Sequence, residues 1–278
     1  MTDQLIAIVK RDCPTCELVA PVLAQLASSV SITVYSQDDP SFPEQLERVV
    51  DDTELGVSHR MGIEIVPTLV RMSGDQEVAR QIGWHRGDWE TLSGVSNLGP
   101  DLPEWGAGCG AKNVEPGILE QLKIRFGQTG IQSRLVELGD AEDEIEAMFE
   151  RDWSDGLPLV PPTEARVLRM LAGTTEEPSA LLGLCPPNLI ELTVEKVAVN
   201  AVMAGCKPEY MPVVLAAMRA TLVDEFALHG VLATTMFVGP VFVVNGPVRG
   251  RIGMNALGNA LGQGNRANAT IGRAVQLV

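Results

Sequence analysis

Aromatic residues, positive charge and long apolar runs are all scarce in this sequence. Aromatic residues make up 4% of the 278 residues although hydrophobic residues reach 45%, so the cores are predicted to be aliphatic. No apolar run approaches the roughly 20 residues that a membrane-spanning helix needs. The residues before Cys13 include Asp3 and lack the apolar stretch of a secretory leader. We therefore expect a chain that neither crosses a membrane nor is exported.

The scarcity of positive charge limits the expected partners. Lys and Arg number 21 against 36 Asp and Glu, which gives a net charge of −15. Nucleic acids and anionic membrane surfaces attract proteins through a cationic surface, so neither is expected to bind. The cysteines are Cys13, Cys16, Cys109, Cys185 and Cys206. An odd number without an export signal indicates a reducing cytoplasm, where thiols serve chemistry or packing.

The most informative stretch is the CPTC motif at residues 13–16. It follows an apolar run at residues 5–9, typical of a buried strand, and opens a helical pattern over residues 14–29. Unpaired N–H groups and the helix dipole stabilise a thiolate at a helix N-terminus, which makes Cys13 and Cys16 candidate redox thiols. A zinc site is the alternative, but no second cysteine pair has a matching spacing. No metal or other cofactor is therefore predicted.

A second motif, Val66-Pro67-Thr68, lies inside a β-rich run at residues 62–72. The turn residues at 73–76 and the following apolar run predict a hairpin. A proline cannot donate a hydrogen bond to a sheet ladder, so its presence in such a run needs an explanation. A cis peptide bond at a sheet edge beside the CPTC turn is one such explanation.

The two motifs and the elements around them, over residues 1–96, resemble the thioredoxin fold. The resemblance implies an α/β domain in which Cys13 is the exposed nucleophile and Cys16 the resolving thiol. It also implies that Pro67 is cis and, with Val66 and Thr68, shapes the substrate groove. Thioredoxins carry a buried acid where this chain has the apolar residues 6–8. Deprotonation of Cys13 must therefore be assisted by another group, and Lys10, water and another domain are the alternatives.

The next segment, residues 97–152, is predicted to be a linker followed by an acidic helical stretch. Residues 97–112 are rich in glycine and proline, which is typical of a loop. Cys109 lies within this loop and is either a third redox thiol that exchanges with Cys13 or an incidental thiol. Residues 137–155 carry many acidic side chains and are predicted to form a solvated helix.

The remaining residues, 153–278, predict an α+β domain. Helical patterns at 193–203 and 209–222 flank Cys206 and indicate a helical hairpin with that cysteine in its elbow. Two β-rich runs follow, at 231–238 and 241–244.

Four strings in this half carry a second resemblance: DGLPLVPPTEARV, TVEKVAVNAVMAGCKPEY, LHGVLATT and GNRANATIGRA. They are similar to a bacterial domain of proteins encoded beside the UGSC family of selenocysteine or cysteine proteins. The resemblance implies a bacterial source and a UGSC-type partner protein. Relatives of this kind continue beyond the last string, which implies that this chain is truncated at its C-terminus.

The polar residues of this half allow more than one interpretation. Cys206 is either a nucleophile, with His229 or Glu209 as base, or a small buried apolar residue. Lys196 and Asn200 share a helical face that either lines a polar pocket or is solvated. Arg266, in a tail rich in glycine and asparagine, is a candidate for holding an anionic group.

These observations predict a thiol–disulfide oxidoreductase that acts through its CPTC dithiol. Its substrate would be a disulfide or thiol, either in a protein or in a small molecule bound by the second domain. Two alternatives remain open: a cysteine-dependent enzyme at Cys206 that the first domain keeps reduced, and a non-catalytic assembly subunit. Association with itself or with another chain is compatible with each.

Overall fold

A computed structural model describes residues 3–139 and 142–278, in two compact units that span Met1–Phe126 and Gly127–Val278. The segment predicted as a linker and acidic helix, residues 97–152, is split between the units. Asp140, which belongs to the predicted acidic helix, lies outside the described residues. Both units combine helices with strands, so the chain is mixed α/β.

The strands of the first unit are β1 (Asp3–Val9), β2 (Ile32–Ser36), β3 (Val50–Asp51), β4 (Ile65–Val66), β5 (Thr68–Ser73), β6 (Gln76–Ile82), β7 (Trp84–His85), β8 (Trp105–Gly106) and β9 (Cys109–Gly110). Five of them form a mixed sheet with the order β3-β2-β1-β5-β6. The helices of this unit are α1 (Pro14–Ser29), α2 (Gly56–Arg60), α3 (Arg86–Ser93) and α4 (Ile118–Arg125). Strand β1 runs parallel to β2 and antiparallel to β5.

The apolar run of β1 forms the centre of this unit because both of its faces are covered. Ala7, Ile8 and Val9 are fully buried, as expected of a strand that reads as a continuous apolar run. Helix α1 begins directly after the Cys13 turn, with Pro14 in its first turn, and buries Leu23 in the same core. The CPTC turn is thereby fixed between a central strand and a packed helix.

The predicted hairpin and its proline are confirmed. Strands β5 and β6 pair antiparallel around the turn at 73–76, and the Val66–Pro67 peptide bond is cis. The predicted loop at 97–112 is packed against this unit, because Leu98 and Ala111 are fully buried in its core. Two short strands in it pair with the rest of the unit, β8 with β7 and β9 with β4.

The second unit is mainly helical. Its helices are α5 (Glu144–Glu150), α6 (Glu164–Leu171), α7 (Val194–Ala204), α8 (Met211–Thr221), α9 (Leu228–Ala233), α10 (Pro247–Arg251) and α11 (Arg266–Leu277). Its strands β10 (Leu181–Cys185) and β11 (Ile190–Thr193) form an antiparallel pair. The core is aliphatic, and Val197, Ala198 and Ala201 of α7 are fully buried in it.

Cys206 lies between α7 and α8, as predicted for the elbow of a helical hairpin. The strands predicted at 231–238 and 241–244 are wrong: helix α9 covers the start of the first run and the rest has no regular structure. Apolar side chains there, such as Phe237 and Val243, are exposed. A strand pattern without a partner strand or a covering layer forms no sheet. Within the described part of the chain, no helix is both long and apolar enough to cross a bilayer.

Candidate dithiol site

Cys13 occupies the N-cap position of α1. Its sulfur accepts a hydrogen bond from the backbone N–H of Cys16 at 3.4 Å. The Cys13 thiol donates a hydrogen bond to the carbonyl oxygen of Val66, the residue before the cis proline, at 3.6 Å. The backbone N–H of Thr15 is also directed at it. An N-cap acceptor of this kind favours negative charge on the sulfur.

The two cysteines of the motif have opposite pKa shifts. A hydrogen bond from the Cys16 thiol is the main reason that the pKa of Cys13 is lowered to about 5, although burial opposes this shift. A hydrogen bond from the Cys109 thiol and the backbone N–H groups of the first turn lower the Cys13 pKa further. Burial, followed by the hydrogen bond to Cys13, raises the pKa of Cys16 far above its usual value. The directions of these shifts favour negative charge on Cys13 and a retained proton on Cys16.

Cys13 is not exposed, contrary to the expectation from the thioredoxin resemblance. Its side chain is 1% exposed and that of Cys16 is fully buried. Residues 105–111, here called the cover segment, lie over the motif. The Thr15 hydroxyl donates a hydrogen bond to the carbonyl oxygen of Ala107, and a Cβ at Gly106 would lie 3.1 Å from the Thr15 methyl group.

The cover segment brings a third cysteine to the site. In the antiparallel pair of β4 and β9, Val66 lies opposite Cys109 and Ile65 opposite Gly110. The interaction of Cys109 with the Cys13 sulfur is the main cause of the raised pKa of Cys109. Cys109 is half-buried, in contrast to the other two thiols. The pairing with β4 thus brings Cys109 to the strand that holds Val66.

A buried polar network holds the C-terminal end of the cover segment. The Gln37 amide donates hydrogen bonds to Ser58 Oγ at 2.8 Å and to Asn113 Oδ1 at 3.0 Å. Asn113 Nδ2 donates to the carbonyl oxygen of Ile63 at 2.7 Å, and the Ala111 N–H donates to that of Glu64 at 2.9 Å. These amides have no access to water, so their partners fix where residues 111–113 lie.

The residues predicted to shape a groove stand at the same site. Val66, Pro67 and Thr68 are all buried, and the Thr68 hydroxyl donates to the carbonyl oxygen of Ile65 at 2.7 Å. Lys10 is also buried, and its charge partly offsets the rise in the Cys109 pKa that Cys13 and burial cause. Among the predicted groove residues, Val66 contacts the Cys13 sulfur through its carbonyl oxygen.

The second unit keeps its predicted residues in separate surroundings. Cys206 is buried in the core, where its thiol donates to the carbonyl oxygen of Thr270 at 3.3 Å and burial raises its pKa. Arg266 donates from Nε to the carbonyl oxygen of Gly205 at 2.9 Å, which ties the start of α11 to the end of α7. Both residues therefore have contacts that serve packing.

Lys196, Asn200 and His229 do not converge on Cys206. Lys196 Nζ donates to the carbonyl oxygen of Glu191 at 2.6 Å, and Asn200 Nδ2 donates to that of Lys196 at 2.9 Å. Lys196 and Asn200 line a cavity together with Cys185, and Cys206 is not among its lining residues. The side chain of His229 is exposed on α9.

Glu195 is a buried carboxylate that holds a neighbouring loop in place, a role that was not predicted from the sequence. Glu195 is 4% exposed, and its oxygens accept hydrogen bonds from the backbone N–H groups of Gln132 and Ser133 and from the Ser133 hydroxyl. Its place in the first turn of α7, after the Thr193 cap, is the only sequence signal for this role. No group of three or more potential metal ligands occurs within residues 3–139 and 142–278.

Comparisons of this chain with protein-family models, with curated proteins and with solved structures found no match.

Proposed function

We propose that this protein is a thiol–disulfide oxidoreductase whose first unit carries a thioredoxin-like dithiol. The single observation that supports it best is the position of the Cys13 sulfur at the N-cap of α1, hydrogen-bonded to the Cys16 N–H and to the carbonyl oxygen before the cis Pro67. Cys13 has a pKa of about 5, whereas that of Cys16 is raised. A thiolate beside a protonated thiol is the arrangement that disulfide exchange requires.

In the proposed reaction the Cys13 thiolate attacks one sulfur of a substrate disulfide. The substrate S–S bond breaks, the leaving thiolate takes a proton from water, and a mixed disulfide forms on Cys13. Cys16 then loses its proton and attacks the Cys13 sulfur, which releases the second substrate thiol. The substrate gains two electrons and two protons, and the dithiol becomes a disulfide that an external dithiol reduces again.

The change in charge on Cys13 favours the second step. While Cys13 is a thiolate, its negative charge and its hydrogen bond both raise the pKa of Cys16. Neither acts once Cys13 is part of a mixed disulfide, so Cys16 loses its proton more readily at that stage.

Several further assignments belong to the same proposal. The sheet of the first unit, the cis peptide bond before Pro67 and the CPTC helix support a thioredoxin-like domain. A reducing cytoplasm suits a dithiol of this kind. We also retain a UGSC-type protein as the partner suggested by the sequence of the second unit. The buried, hydrogen-bonded thiol of Cys206 weighs against the alternative enzyme at that residue.

The test is dithiothreitol-driven reduction of a small aromatic disulfide, followed by its absorbance. We expect Cys13→Ser to lower the rate to the uncatalysed background. Cys206→Ser, in the second unit, is the matched control and should keep the wild-type rate. A Cys13→Ser variant that reduces the disulfide at the wild-type rate would overturn the proposal.

A further inference from the structure

We propose that Cys109 is an internal disulfide partner of Cys13, so that the site works with three thiols and forms a Cys13–Cys109 disulfide during turnover. This inference rests on the proposed function, because it takes Cys13 to be the thiol that attacks the substrate. It adds a redox residue outside the CPTC motif, supplied by the cover segment.

The backbone around Pro67 provides the first argument. The edge of β4 offers its N–H and C=O groups to one antiparallel neighbour. In this chain β9 takes that position, with Cys109 opposite Val66. The carbonyl oxygen of Val66 is also the group 3.6 Å from the Cys13 sulfur. The pairing register therefore places Cys109, and not Gly110, opposite the residue whose carbonyl oxygen contacts the Cys13 sulfur.

The packing of the cover segment provides the second argument, because it holds Cys109 in place. A Cβ at Gly108 would lie 2.2 Å from Ile65 Cγ2 and 2.9 Å from the Val66 carbonyl oxygen, so only glycine allows this approach. Strand β8 is paired with β7 on one side, and the Asn113 amide is buried on the other. A thiol fixed beside its reaction partner reacts as if present at high concentration.

The chemistry of the three thiols provides the third argument. The main cause of the raised Cys109 pKa is its hydrogen bond to Cys13, whereas for Cys16 the main cause is burial. Once Cys13 is part of a mixed disulfide, the main cause of the raised Cys109 pKa is gone, whereas burial still raises the Cys16 pKa. Cys109, which is half-buried, then becomes the thiol that loses its proton more easily.

In the inferred reaction the substrate disulfide accepts the two electrons that the cysteines lose, so no other oxidant is needed. The Cys13 thiolate attacks a low-molecular-weight disulfide and releases one thiol, which takes up a proton. In place of the direct attack by Cys16 in the proposed reaction, the Cys109 thiolate attacks the Cys13 sulfur, breaks the mixed disulfide and releases the second thiol, so that a Cys13–Cys109 disulfide forms. Cys16 can then attack Cys13, which forms Cys13–Cys16 and returns Cys109 to a thiol with no further change in oxidation state.

The test compares Cys16→Ser with the double variant Cys16→Ser, Cys109→Ser in the full-length chain. Each is treated with glutathione disulfide, alkylated and mapped by non-reducing peptide mass spectrometry. We expect Cys16→Ser to yield a Cys13–Cys109 peptide pair and at least about tenfold less glutathione on Cys13 than the double variant, because an internal thiol competes at an effective concentration near millimolar. Cys16→Ser, Cys185→Ser is the matched control and should behave like Cys16→Ser.

Two other results would overturn the inference. One of them would also overturn the proposed function, and the other would not. Equal glutathione on Cys13 in Cys16→Ser and in the double variant, without a Cys13–Cys109 pair, would overturn the role of Cys109 and leave the proposed function intact. Absence of any disulfide or adduct at Cys13, in the wild-type chain as well, would overturn both. Cys16→Ala, measured in parallel, excludes an effect of the introduced hydroxyl.

Discussion

Cys109 lies directly opposite Val66 in an antiparallel pair of strands, and the carbonyl oxygen of Val66 is 3.6 Å from the Cys13 sulfur. One residue of β4 therefore links two cysteines that are far apart in the sequence. The dithiol is covered by a segment of its own unit, and that segment carries a thiol. The chemistry expected of the site follows from this contact as well as from the CPTC motif.

The first prediction concerns which neighbour controls the Cys13 pKa. The hydrogen bond from Cys16 is the largest cause of the lowered value of about 5, and the one from Cys109 is smaller. We expect Cys16→Ala to raise the Cys13 pKa most and Cys109→Ala to raise it less. The ultraviolet absorbance of the thiolate, titrated against pH, measures both shifts. Cys206→Ala is the control, and an unchanged titration in Cys109→Ala would contradict the assigned hydrogen bond.

The second prediction concerns stability as a function of pH in the reduced protein. The Cys13 pKa is lowered from 9.0 to about 5, so between these values the unfolded state binds the proton and the folded state does not. The free energy of unfolding should therefore rise with pH over this window, by at most about 1.4 kcal/mol per pH unit for one proton. The stabilisation is complete above pH 9 and lost as the pH falls through 5.

Urea unfolding of the wild-type chain and of Cys13→Ser at a series of pH values isolates this contribution. The difference between the two slopes belongs to Cys13, because all other groups are shared. Cys16 and Cys109 have raised pKa values, so they oppose the trend only above pH 9. Parallel slopes for the two proteins between pH 5 and 9 would show that the thiolate is not stabilised by folding.

The part of the site that could be predicted from sequence is the part with local signals. Cys13 and Cys16 are three positions apart, so one helical turn is enough to bring them together. The hairpin after Pro67 likewise follows from alternation and turn residues. The strands predicted at 231–238 and 241–244 failed because β propensity describes a fit to neighbouring strands, and none is present there.

Cys109 could not be placed from sequence because its position depends on pairing with a distant strand. A glycine-rich stretch has no hydrophobic period, so the cover segment resembled a linker. A weak signal was present: Gly106, Gly108 and Gly110 alternate, and glycine inside a strand often marks close approach to another backbone. Only the structure shows that the first two approach other groups closely, whereas Gly110 has no neighbour within 4 Å of a Cβ.

The third prediction concerns the anchor of the cover segment. The Asn113 side chain is 2% exposed, and its replacement by alanine would remove the hydrogen bonds that it makes with the Ile63 carbonyl and with one N–H of the Gln37 amide. We expect Asn113→Ala to lower the free energy of unfolding by about 1–3 kcal/mol, the cost of buried polar groups left unpaired. Urea unfolding measures this loss. Gln45→Ala, at an exposed amide, is the control and should change stability by less than about 0.5 kcal/mol.

The last prediction tests whether the cover segment limits access to Cys13. A methyl group at position 108 would lie 2.2 Å from Ile65 Cγ2 and 2.9 Å from the Val66 carbonyl oxygen. Because that oxygen belongs to the backbone of β4, it cannot turn away as a side chain could. We expect Gly108→Ala to push β9 off β4, to destabilise the fold by about 1–3 kcal/mol and to speed alkylation of Cys13 by iodoacetamide.

Gly110→Ala provides the matched control for this variant. A Cβ at Gly110 meets no atom within 4 Å, so this substitution in the same cover segment should change stability by less than about 0.5 kcal/mol. Alkylation of Cys13, followed by peptide mass spectrometry over time, compares the two variants. If both alkylate at the wild-type rate while Gly108→Ala is destabilised, residues 105–111 stabilise the fold without shielding the Cys13 sulfur. Faster alkylation in Gly108→Ala alone would assign that shielding to the contact between Gly108 and β4.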